Sequence, residues 1–284
     1  MAPLIVITGP TASGKSALAL ELAERYGGEI ICADSRTVYR GMDIGTAKPS
    51  QEDQARVPHH LLDVVNPDER FTLHDFQAKA IAAIDDIRRR GKTPFMVGGT
   101  GLYIDSVVLG FQLGEDADLG ERARLGALDL NELQVMLKKQ HIQLPANPLN
   151  KRHLVRALEQ KGINDRGKHK PDENTHVVAI ATEMSVLESR IEKRAHEMFD
   201  QGVVDEAVSL AARYGWESEA MTGNIYPLLR EVAEGRLTKE EALSKFVTRD
   251  RQLAKRQITW LKRHSFVQWM SLDEARRYLE GVLR

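Results

Sequence analysis

The sequence predicts an α/β protein, with a central parallel sheet flanked by helices and a small helical subdomain inserted into it. Short apolar, β-branched runs alternate with helical patterns over most of the 284 residues, as is typical of such sheets. A glycine-rich loop joins the first of these runs to the first helix. Residues 111–175 instead carry short helical patterns and polar stretches. We therefore expect a core of residues 1–110 and 176–284 and an inserted subdomain at 111–175.

The amino-acid composition excludes several classes of protein for this chain. The chain is 42% hydrophobic and 29% charged, which excludes a disordered chain. Its single cysteine, Cys32, excludes a disulfide framework or a cysteine-based zinc site within the chain and fits a reducing cytoplasm. No signal peptide pattern and no apolar stretch of membrane-spanning length is present. Because the net charge is −1, any nucleic-acid surface must come from local clusters of lysine and arginine.

The first predicted strand and helix enclose a phosphate-binding motif. Leu4–Thr8 is apolar, and Ala17–Tyr26 repeats apolar residues on one helical face. The pattern G-x-x-x-x-G-K-S/T between them is matched by Gly9, Pro10, Thr11, Ala12, Ser13, Gly14, Lys15 and Ser16. Backbone N–H groups of such a loop converge on an anion, Lys15 adds a full charge, and the Ser16 hydroxyl suits Mg²⁺. The motif predicts a P-loop NTPase-like core that binds a polyphosphate, without saying which bond breaks.

Polar residues follow two further predicted strands. Glu29–Ala33 ends at Asp34, which either faces the ligand crevice or caps a following helix, and the spacing leaves both open. Pro94–Val97 ends in glycines rather than in the aspartate with which many P-loop ATPases hold magnesium. Thr100 places a hydroxyl at the same edge of the sheet. This favours a substrate channel over a site for ATP hydrolysis.

Two other patterns lie between these strands and the insertion. The adjacent His59 and His60 fall in a short extended run, where neighbouring side chains point to opposite faces, so a shared metal is not expected. Thr72 and Asp75 have the spacing of a capping box, which predicts a helix that ends at Arg88–Arg90.

The insertion is predicted to be helical and basic in places. Short helices are expected at 121–125, 128–139 and 152–161, and the polar run 164–175 is predicted to be a mobile loop. Arg152 and Arg156 share one helical face. An ordinary solvated face and an RNA-binding face explain this pattern equally well.

The C-terminal part returns to the α/β pattern. The expected elements are a strand at 176–181, a helix capped by Ser185 and Glu188, a helix at 203–214, a turn at 222–227 and a last long helix capped by Thr238 and Glu241. That last helix ends near Arg263 and combines basic residues with Trp260. The combination suits a phosphate backbone with stacked bases. Taken alone, it is better explained as a solubilising face around Phe246, Leu253 and Leu261.

Separated stretches of the chain resemble one family, the tRNA dimethylallyltransferases. The stretches, which keep the family's order, are Gly9–Ser16, Ala33–Tyr39, Met42–Pro49, Val57–His60, Gly98–Tyr103 and Ala254–Trp260. The resemblance implies transfer of a dimethylallyl group from dimethylallyl diphosphate to N6 of the adenosine next to the anticodon, position 37 of the tRNA. The products are diphosphate and N6-(dimethylallyl)adenosine. The phosphate loop then holds the leaving group, which explains the missing aspartate.

The resemblance also implies roles for individual residues. The catalytic set is Asp34 as general base, Lys15 on the diphosphate and Thr100 on the target nucleotide, with Mg²⁺ on Ser16. The adenine is extruded from the loop to react. The implied contacts with the anticodon stem-loop are Asp34, Ser35, Arg36, Thr37, Thr100, Arg122, Arg152, His153, Leu154, Val155 and Arg156. The implied protein is cytoplasmic, has no membrane partner and acts as a monomer.

Two departures from the family pattern stand out. The family commonly has glutamine where Thr37 stands. A family segment resembling Arg-Gly-Ile-Gly-Tyr-Arg/Lys corresponds here to Thr222–Pro227, so both basic positions are lost. Arg230 or Arg249 is a candidate to replace the lost positive charge.

Two alternative functions remain open from the residues: a small-molecule P-loop kinase and a catalytically silent RNA-binding protein.

Overall fold

The computed structural model describes residues 1–113, 118–161, 170–223 and 225–284. Its strands are β1 (Leu4–Thr8), β2 (Glu29–Cys32), β3 (His59–His60), β4 (Pro94–Gly98), β5 (Thr175–Ile180) and β6 (Gln268–Met270). They form one sheet in the order β3-β2-β4-β1-β5-β6. Every neighbouring pair is parallel, so all six carboxyl ends lie at one edge of the sheet.

Helices connect and cover the strands. In chain order they are α1 (Lys15–Arg25), α2 (Gln51–Arg56), α3 (Leu73–Arg89), α4 (Gly101–Val108), α5 (Leu119–Ala127), α6 (Leu130–Lys139), α7 (Lys151–Glu159), α8 (Met184–Asp200), α9 (Val203–Tyr214), α10 (Tyr226–Ala233), α11 (Lys239–Leu261) and α12 (Leu272–Leu283). A 3₁₀ turn, Glu219–Thr222, precedes α10. The predicted α/β class with a central parallel sheet is confirmed.

The inner strands are buried on both faces. Every residue of β1, β2 and β4 is buried, as is usual for parallel strands with helices on both sides. Ile5, Ile7 and Phe95 belong to the main hydrophobic cluster together with Leu18 and Leu22 of α1. The apolar runs recognised in the sequence therefore form the buried core of the sheet, and the connecting loops extend from its strands.

Capping patterns located some helices correctly and one wrongly. Thr72 and Thr238 each accept from the backbone N–H three residues on and form full capping boxes. The predicted Ser185 cap is wrong, because α8 begins at Met184. Its N-cap is Glu183, which makes no side-chain cap bond. Ser185 consequently lies inside the first helical turn.

Several elements went unrecognised in the sequence. The predicted turn at 222–227 runs into α10, with Pro227 in the first helical turn, where proline is tolerated because that N–H has no helical partner. The residues after α11 add β6 beside β5 and then α12. The short helix α2 is capped by Ser50.

The chain divides into two compact units. One consists of Met1–Val108 and Lys170–Arg284, and the other of Leu109–His169. The second unit has its own core, made of Leu125, Leu133, Leu137, Leu154, Val155, Ala157 and Leu158. Residues 164–169 of the predicted mobile loop, and Asn224, lie outside the described residues. No helix in the described ranges combines the length and the apolar composition needed to span a membrane.

Candidate active site

A cavity of about 470 Å³ lies at the carboxyl ends of β1, β2 and β4. Parallel strands bring the loops after them to one edge, which is where α/β proteins bind ligands. The predicted site residues that line the cavity are Thr11, Lys15, Ser16, Asp34, Ser35, Arg36, Thr37 and Thr100. Side chains from α8 and α11, among them Arg194, Asp250 and Gln257, also line it. The cavity therefore joins the predicted phosphate end to the predicted acceptor end.

The phosphate loop has the backbone conformation of an anion cradle. Ala12 (φ 62°) and Gly14 (φ 90°) are in the left-handed region, as in loops whose N–H groups form a concave anion site. Helix α1 begins directly after Gly14, at Lys15, so its N-terminal partial positive charge meets the cavity. Lys15 Nζ donates to the Pro10 carbonyl at 3.2 Å. Burial lowers the pKa of Lys15 to about 8, against the opposing effect of the Asp34 charge.

The donor set suits Mg²⁺ bound mainly through a substrate. Ser16 lines the cavity with an exposed side chain. Among the described residues, no three His, Cys, Asp or Glu side chains could hold a metal together. Mg²⁺ commonly keeps several waters and binds through one or two protein ligands plus substrate phosphates. The single Ser16 hydroxyl beside the phosphate loop fits this mode of Mg²⁺ binding.

The loops after β2 and β4 are bonded to each other. No helix follows Asp34, so the N-cap alternative is wrong. Its Oδ1 accepts from the Arg36 N–H at 2.8 Å, and within the described chain nothing donates to its Oδ2. The Thr100 hydroxyl accepts from the Ser35 N–H at 3.1 Å, and the Thr100 N–H donates to the Ala33 carbonyl at 3.2 Å. One carboxylate oxygen of Asp34 is thus available to a ligand beside Thr100.

Glycines at the end of β4 and directly after it allow close packing. A side chain at Gly98 would collide with the Ala33 backbone, one at Gly99 with Gln257, and one at Gly101 with the Trp260 ring. The glycines are therefore required by β2 and α11 rather than by a flat ligand. The Trp260 indole also donates to the buried Asp105 carboxylate at 2.8 Å. This holds Trp260 in the packing of α11, which supports the structural interpretation of the residue over base stacking.

The segment after Asp34 shapes the acceptor side of the cavity. Arg36 Nη1 donates to the carbonyls of Glu219 (3.3 Å) and Ala220 (3.4 Å). Thr37 is 6% exposed, and its hydroxyl has no hydrogen-bond partner among the described residues. Both side chains reach the cavity wall. Thr37 occupies the position at which the family commonly has glutamine.

Gln257 of α11 connects the two glycine-rich loops. Its Oε1 accepts from the Thr11 N–H at 2.8 Å, and its Nε2 donates to the Gly99 carbonyl at 3.1 Å. One side chain thereby fixes the spacing between the phosphate end and the acceptor end. Gln257 lies in a stretch that resembles the family, but the sequence pattern alone does not indicate its role.

Glu206 of α9 holds the family-like loop 42–49. Its carboxylate accepts from the N–H groups of Asp43 (2.9 Å), Ile44 (2.7 Å) and Gly45 (2.9 Å). The hydroxyl of Tyr226 donates to it at 2.7 Å. No sequence signal indicated this role, because a glutamate in a first helical turn is already explained by the helix dipole.

Of the residues in the insertion that are predicted to contact tRNA, some are exposed and others are buried. Arg152 and His153 are exposed on α7. Leu154 and Val155 are buried in the core of the unit, so these two side chains pack inside it, and their implied contact with tRNA stays a prediction. Arg122 makes two hydrogen bonds to Glu159, at 2.6 and 2.8 Å. Arg156 lies 3.6 Å from the same carboxylate, so both arginines also stabilise the helical packing.

The histidine pair has separate structural partners. His59 Nδ1 lies 2.7 Å from the Val57 carbonyl, and His60 Nε2 lies 2.8 Å from the Glu29 carboxylate. Hydrogen bonds from Arg90, with further ones from Lys92 and His60, hold the pKa of Glu29 below its usual range. The expectation that the two histidines share no metal agrees with these contacts.

The chain matches a family model described as IPP transferase over residues 37–264. A tRNA dimethylallyltransferase of Roseiflexus is 40% identical over 277 residues, 93% of this chain and 91% of the relative. The enzyme of that name from Streptococcus thermophilus is 38% identical over 99% of this chain and 94% of its own.

Solved structures agree with these matches. A tRNA isopentenylpyrophosphate transferase from Bacillus halodurans is 35% identical with a TM-score of 0.75, covering 100% of this chain and 97% of its own. A eukaryotic dimethylallyltransferase caught acting on tRNA has a TM-score of 0.79 at 24% identity, covering 96% of this chain and 74% of its own. At that identity it shows a shared fold.

Proposed function

The chain belongs to the IPP transferase family, and from this premise we propose how its residues carry out the family's reaction. It transfers a dimethylallyl group to tRNA. The kinase and silent RNA-binding alternatives are therefore set aside. We propose that the donor is dimethylallyl diphosphate and that the acceptor is N6 of the adenosine next to the anticodon.

One observation supports this assignment most directly: Lys15, Asp34 and Thr100 line the same cavity. The phosphate loop and Lys15 would bind the diphosphate at one end. Asp34 and Thr100 would receive the extruded adenine at the other. The dimethylallyl group would then lie between them, shielded from water by the cavity walls.

The proposed reaction is a single substitution at the allylic carbon. The N6 lone pair attacks that carbon, the carbon–oxygen bond breaks, and its electron pair leaves with the diphosphate. The free Oδ2 of Asp34 accepts the N6 proton as the new carbon–nitrogen bond forms. Base catalysis of this kind is worth about 10²–10⁴-fold in rate, and it is needed because the amine lone pair is delocalised into the purine ring.

Charge accumulates on the diphosphate as the bond breaks. The backbone N–H groups of the loop, the N-terminus of α1 and Lys15 are fixed before the reaction, so they stabilise this charge without reorganising. When bound, Mg²⁺ on the Ser16 hydroxyl would add Lewis-acid stabilisation of the same oxygens. Thr100, held by the Ser35 N–H, would position the target nucleotide.

We propose that tRNA is contacted by the segment Ser35–Thr37 and by the exposed face of α7, including Arg152, His153 and Arg156. Single-stranded loops expose base edges and faces that proteins can contact. The expectations of a monomer, of a cytoplasmic location and of no membrane partner stay predictions.

The test is mass spectrometry of nucleosides from tRNA that has been incubated with protein, Mg²⁺ and dimethylallyl diphosphate. We expect N6-(dimethylallyl)adenosine from the native protein. For Asp34→Ala we expect a rate lower by about 10²–10⁴-fold, with tRNA binding largely preserved. Asp68→Ala, which removes an exposed loop carboxylate, is the matched control and should react normally.

Normal turnover by Asp34→Ala would show that another group accepts the proton. Phosphate release from ATP without any prenylated tRNA would contradict the proposal as a whole.

A further inference from the structure

The cavity continues past Asp34 along the face of β2 that packs towards α1. Its lining includes Cys32 and Ile30, which precede Asp34 by two and four residues and therefore share its face of the strand. Both belong to the same hydrophobic cluster as Leu18 and Leu22 of α1. We call this continuation the apolar branch and define it by the cavity-lining residues Ile30, Cys32, Ala47, Pro49, His59 and Val97.

The register of the strands places residues of the apolar branch at two successive levels of the sheet. Val97 of β4 pairs with Cys32, and His59 of β3 pairs with Ile30. Because Ile30 lies four residues before Asp34, the branch extends about 13 Å from the proposed general base, at a strand rise of about 3.3 Å per residue. The branch is therefore a groove along the sheet rather than a shallow depression beside Asp34.

The walls of the apolar branch are uncharged. His59 Nδ1 lies 2.7 Å from the Val57 carbonyl, and since a carbonyl oxygen only accepts, Nδ1 carries the ring proton. Burial lowers the pKa of His59 and raises the pKa of the Cys32 thiol, so burial favours the neutral form of both side chains. Walls of this kind favour a hydrocarbon and disfavour a phosphate group, whose charge would lose its hydration there.

The apolar branch is longer than a dimethylallyl group requires. With C–C bonds of about 1.5 Å, the group spans only about 4 Å from its reacting carbon to its methyl groups. A ten-carbon geranyl chain, one isoprene unit longer, spans about 9 Å and still fits within the branch. An extruded adenine is a poorer occupant, because apolar walls leave its polar ring edges without hydrogen-bond partners.

We infer that the apolar branch receives the hydrocarbon chain of the donor and that the protein accepts geranyl diphosphate as a second donor. The inference rests on the proposed function. N6 of the adenosine attacks the allylic carbon of geranyl diphosphate, and the carbon–oxygen bond breaks with its electron pair leaving on the diphosphate. Asp34 accepts the N6 proton, so the products are N6-geranyladenosine and diphosphate.

The experiment incubates the native protein with tRNA, Mg²⁺ and either dimethylallyl diphosphate or geranyl diphosphate, followed by mass spectrometry of the nucleosides. We expect both modified adenosines, with kcat/KM values for the two donors within about 10-fold of each other. A pocket closed directly behind the dimethylallyl group would instead reject the longer chain by more than about 100-fold. That result would overturn the inference.

Blocking variants test whether the apolar branch holds the longer chain. Cys32→Leu fills the branch and should lower the ratio of kcat/KM for geranyl to dimethylallyl diphosphate about 10- to 100-fold. Cys32→Ala, which shortens the same side chain, should keep or raise that ratio. Ile31→Leu is the control, since Ile31 is buried on the other face of β2 and the change conserves volume.

A larger side chain at a buried position can destabilise the fold, so Val97→Leu serves as a second blocking variant. Turnover of dimethylallyl diphosphate reports that each variant is folded. If folded blocking variants keep the native ratio of the two donors, the chain lies elsewhere and the inference is wrong.

The outcome separates this inference from the proposed function. Formation of the dimethylallyl product without any geranyl product contradicts only the second donor. If the native protein modifies tRNA with neither donor, the proposed function fails as well.

Discussion

Single side chains give the cavity two cations at the phosphate loop and a carboxylate with one available oxygen at the end of β2. Lys15 and Arg194 lie at the phosphate loop, and Asp34 lies at the end of β2 with one oxygen free. Burial, with a smaller effect from Arg194, lowers the pKa of Lys15, whereas the charge of Asp34 raises it. Lys15 consequently titrates close to physiological pH while the cavity is empty, and a bound anion would restore its charge.

The affinity for inorganic pyrophosphate should therefore fall as the pH rises past the pKa of Lys15, about 8. Protonated Lys15 attracts the anion and neutral Lys15 does not. Between pH 8 and pH 9 the protonated fraction drops about five-fold, and affinity should drop to a similar extent. Calorimetric titration over this range measures the effect.

Lys15→Arg is the matched control, because arginine stays charged throughout that range. Its affinity should follow only the titration of pyrophosphate itself. If the pyrophosphate affinity of the native protein changes with pH in parallel with that of Lys15→Arg, the lowered pKa of Lys15 is contradicted.

The lowered pKa also affects stability. Between pH 8 and 10.5 the unfolded chain binds the Lys15 proton more readily than the folded chain. The free energy of unfolding therefore rises with pH over that window because of this residue.

At the scale of elements, α8 to α11 act as a frame for loops that β1, β2 and β4 begin. Gln257 of α11 bonds to both glycine-rich loops. Glu206 of α9 and Tyr226 of α10 hold the loop 42–49. Gly45 lies so close to the Tyr226 hydroxyl that a side chain there would collide with it. Helices distant in sequence therefore hold these loops in addition to the turn hydrogen bonds within the loops themselves.

Glu206→Gln should lower stability and loosen the loop 42–49. Each Glu206 oxygen accepts two hydrogen bonds, and an amide nitrogen in place of one oxygen accepts none. We expect a loss of about 1.5–3 kcal/mol in the free energy of unfolding and a higher KM. Chemical denaturation and steady-state kinetics measure the two effects.

Asp205→Asn provides the control for Glu206→Gln, since Asp205 is exposed in the same helical turn. It removes one charge near the N-terminus of α9 and should cost about 0.3–1 kcal/mol. Equal effects of the two variants would mean that the helix dipole, and not the loop, explains Glu206.

At the scale of the whole molecule, the proposed diphosphate site and the proposed tRNA contacts of α7 belong to different compact units. The cavity lies within the unit formed by Met1–Val108 and Lys170–Arg284. The second unit, Leu109–His169, folds around its own small core and exposes Arg152 and His153. With a net charge of −1, such local basic groups must supply the attraction for tRNA.

Arg152→Gln should weaken tRNA binding and leave pyrophosphate binding unchanged. A lost phosphate contact reduces the slope of log affinity against log salt by about 0.7–0.9. Binding measured at several salt concentrations tests this. Lys193→Gln, which removes an equal charge from the other unit, should keep the native slope. An unchanged slope for Arg152→Gln would remove this residue from the tRNA interface.

The sequence alone determined what depends on residues close together along the chain. The strand, glycine loop and helix around Lys15 are encoded by contiguous patterns, and the capping boxes at Thr72 and Thr238 by residues three apart. The ordered motifs were enough to indicate the family, and the relatives confirm it. Local patterns were unreliable where two explanations fit them, as at Asp34 and on α7, and the single cap predicted at Ser185 was wrong.

Only the tertiary structure decided which distant residues meet. Gln257 is 246 positions from Thr11, and Glu206 is more than 160 from Gly45. The parallel sheet collects the loops after β1, β2 and β4 at one edge, and α8 to α11 supply the side chains that fix them there. Burial of Leu154, and the pairing of Arg194 with Asp250, likewise depend on which helix faces pack together. A pattern of neighbouring residues carries no information about such partners, because the contacts exist only once the chain has folded.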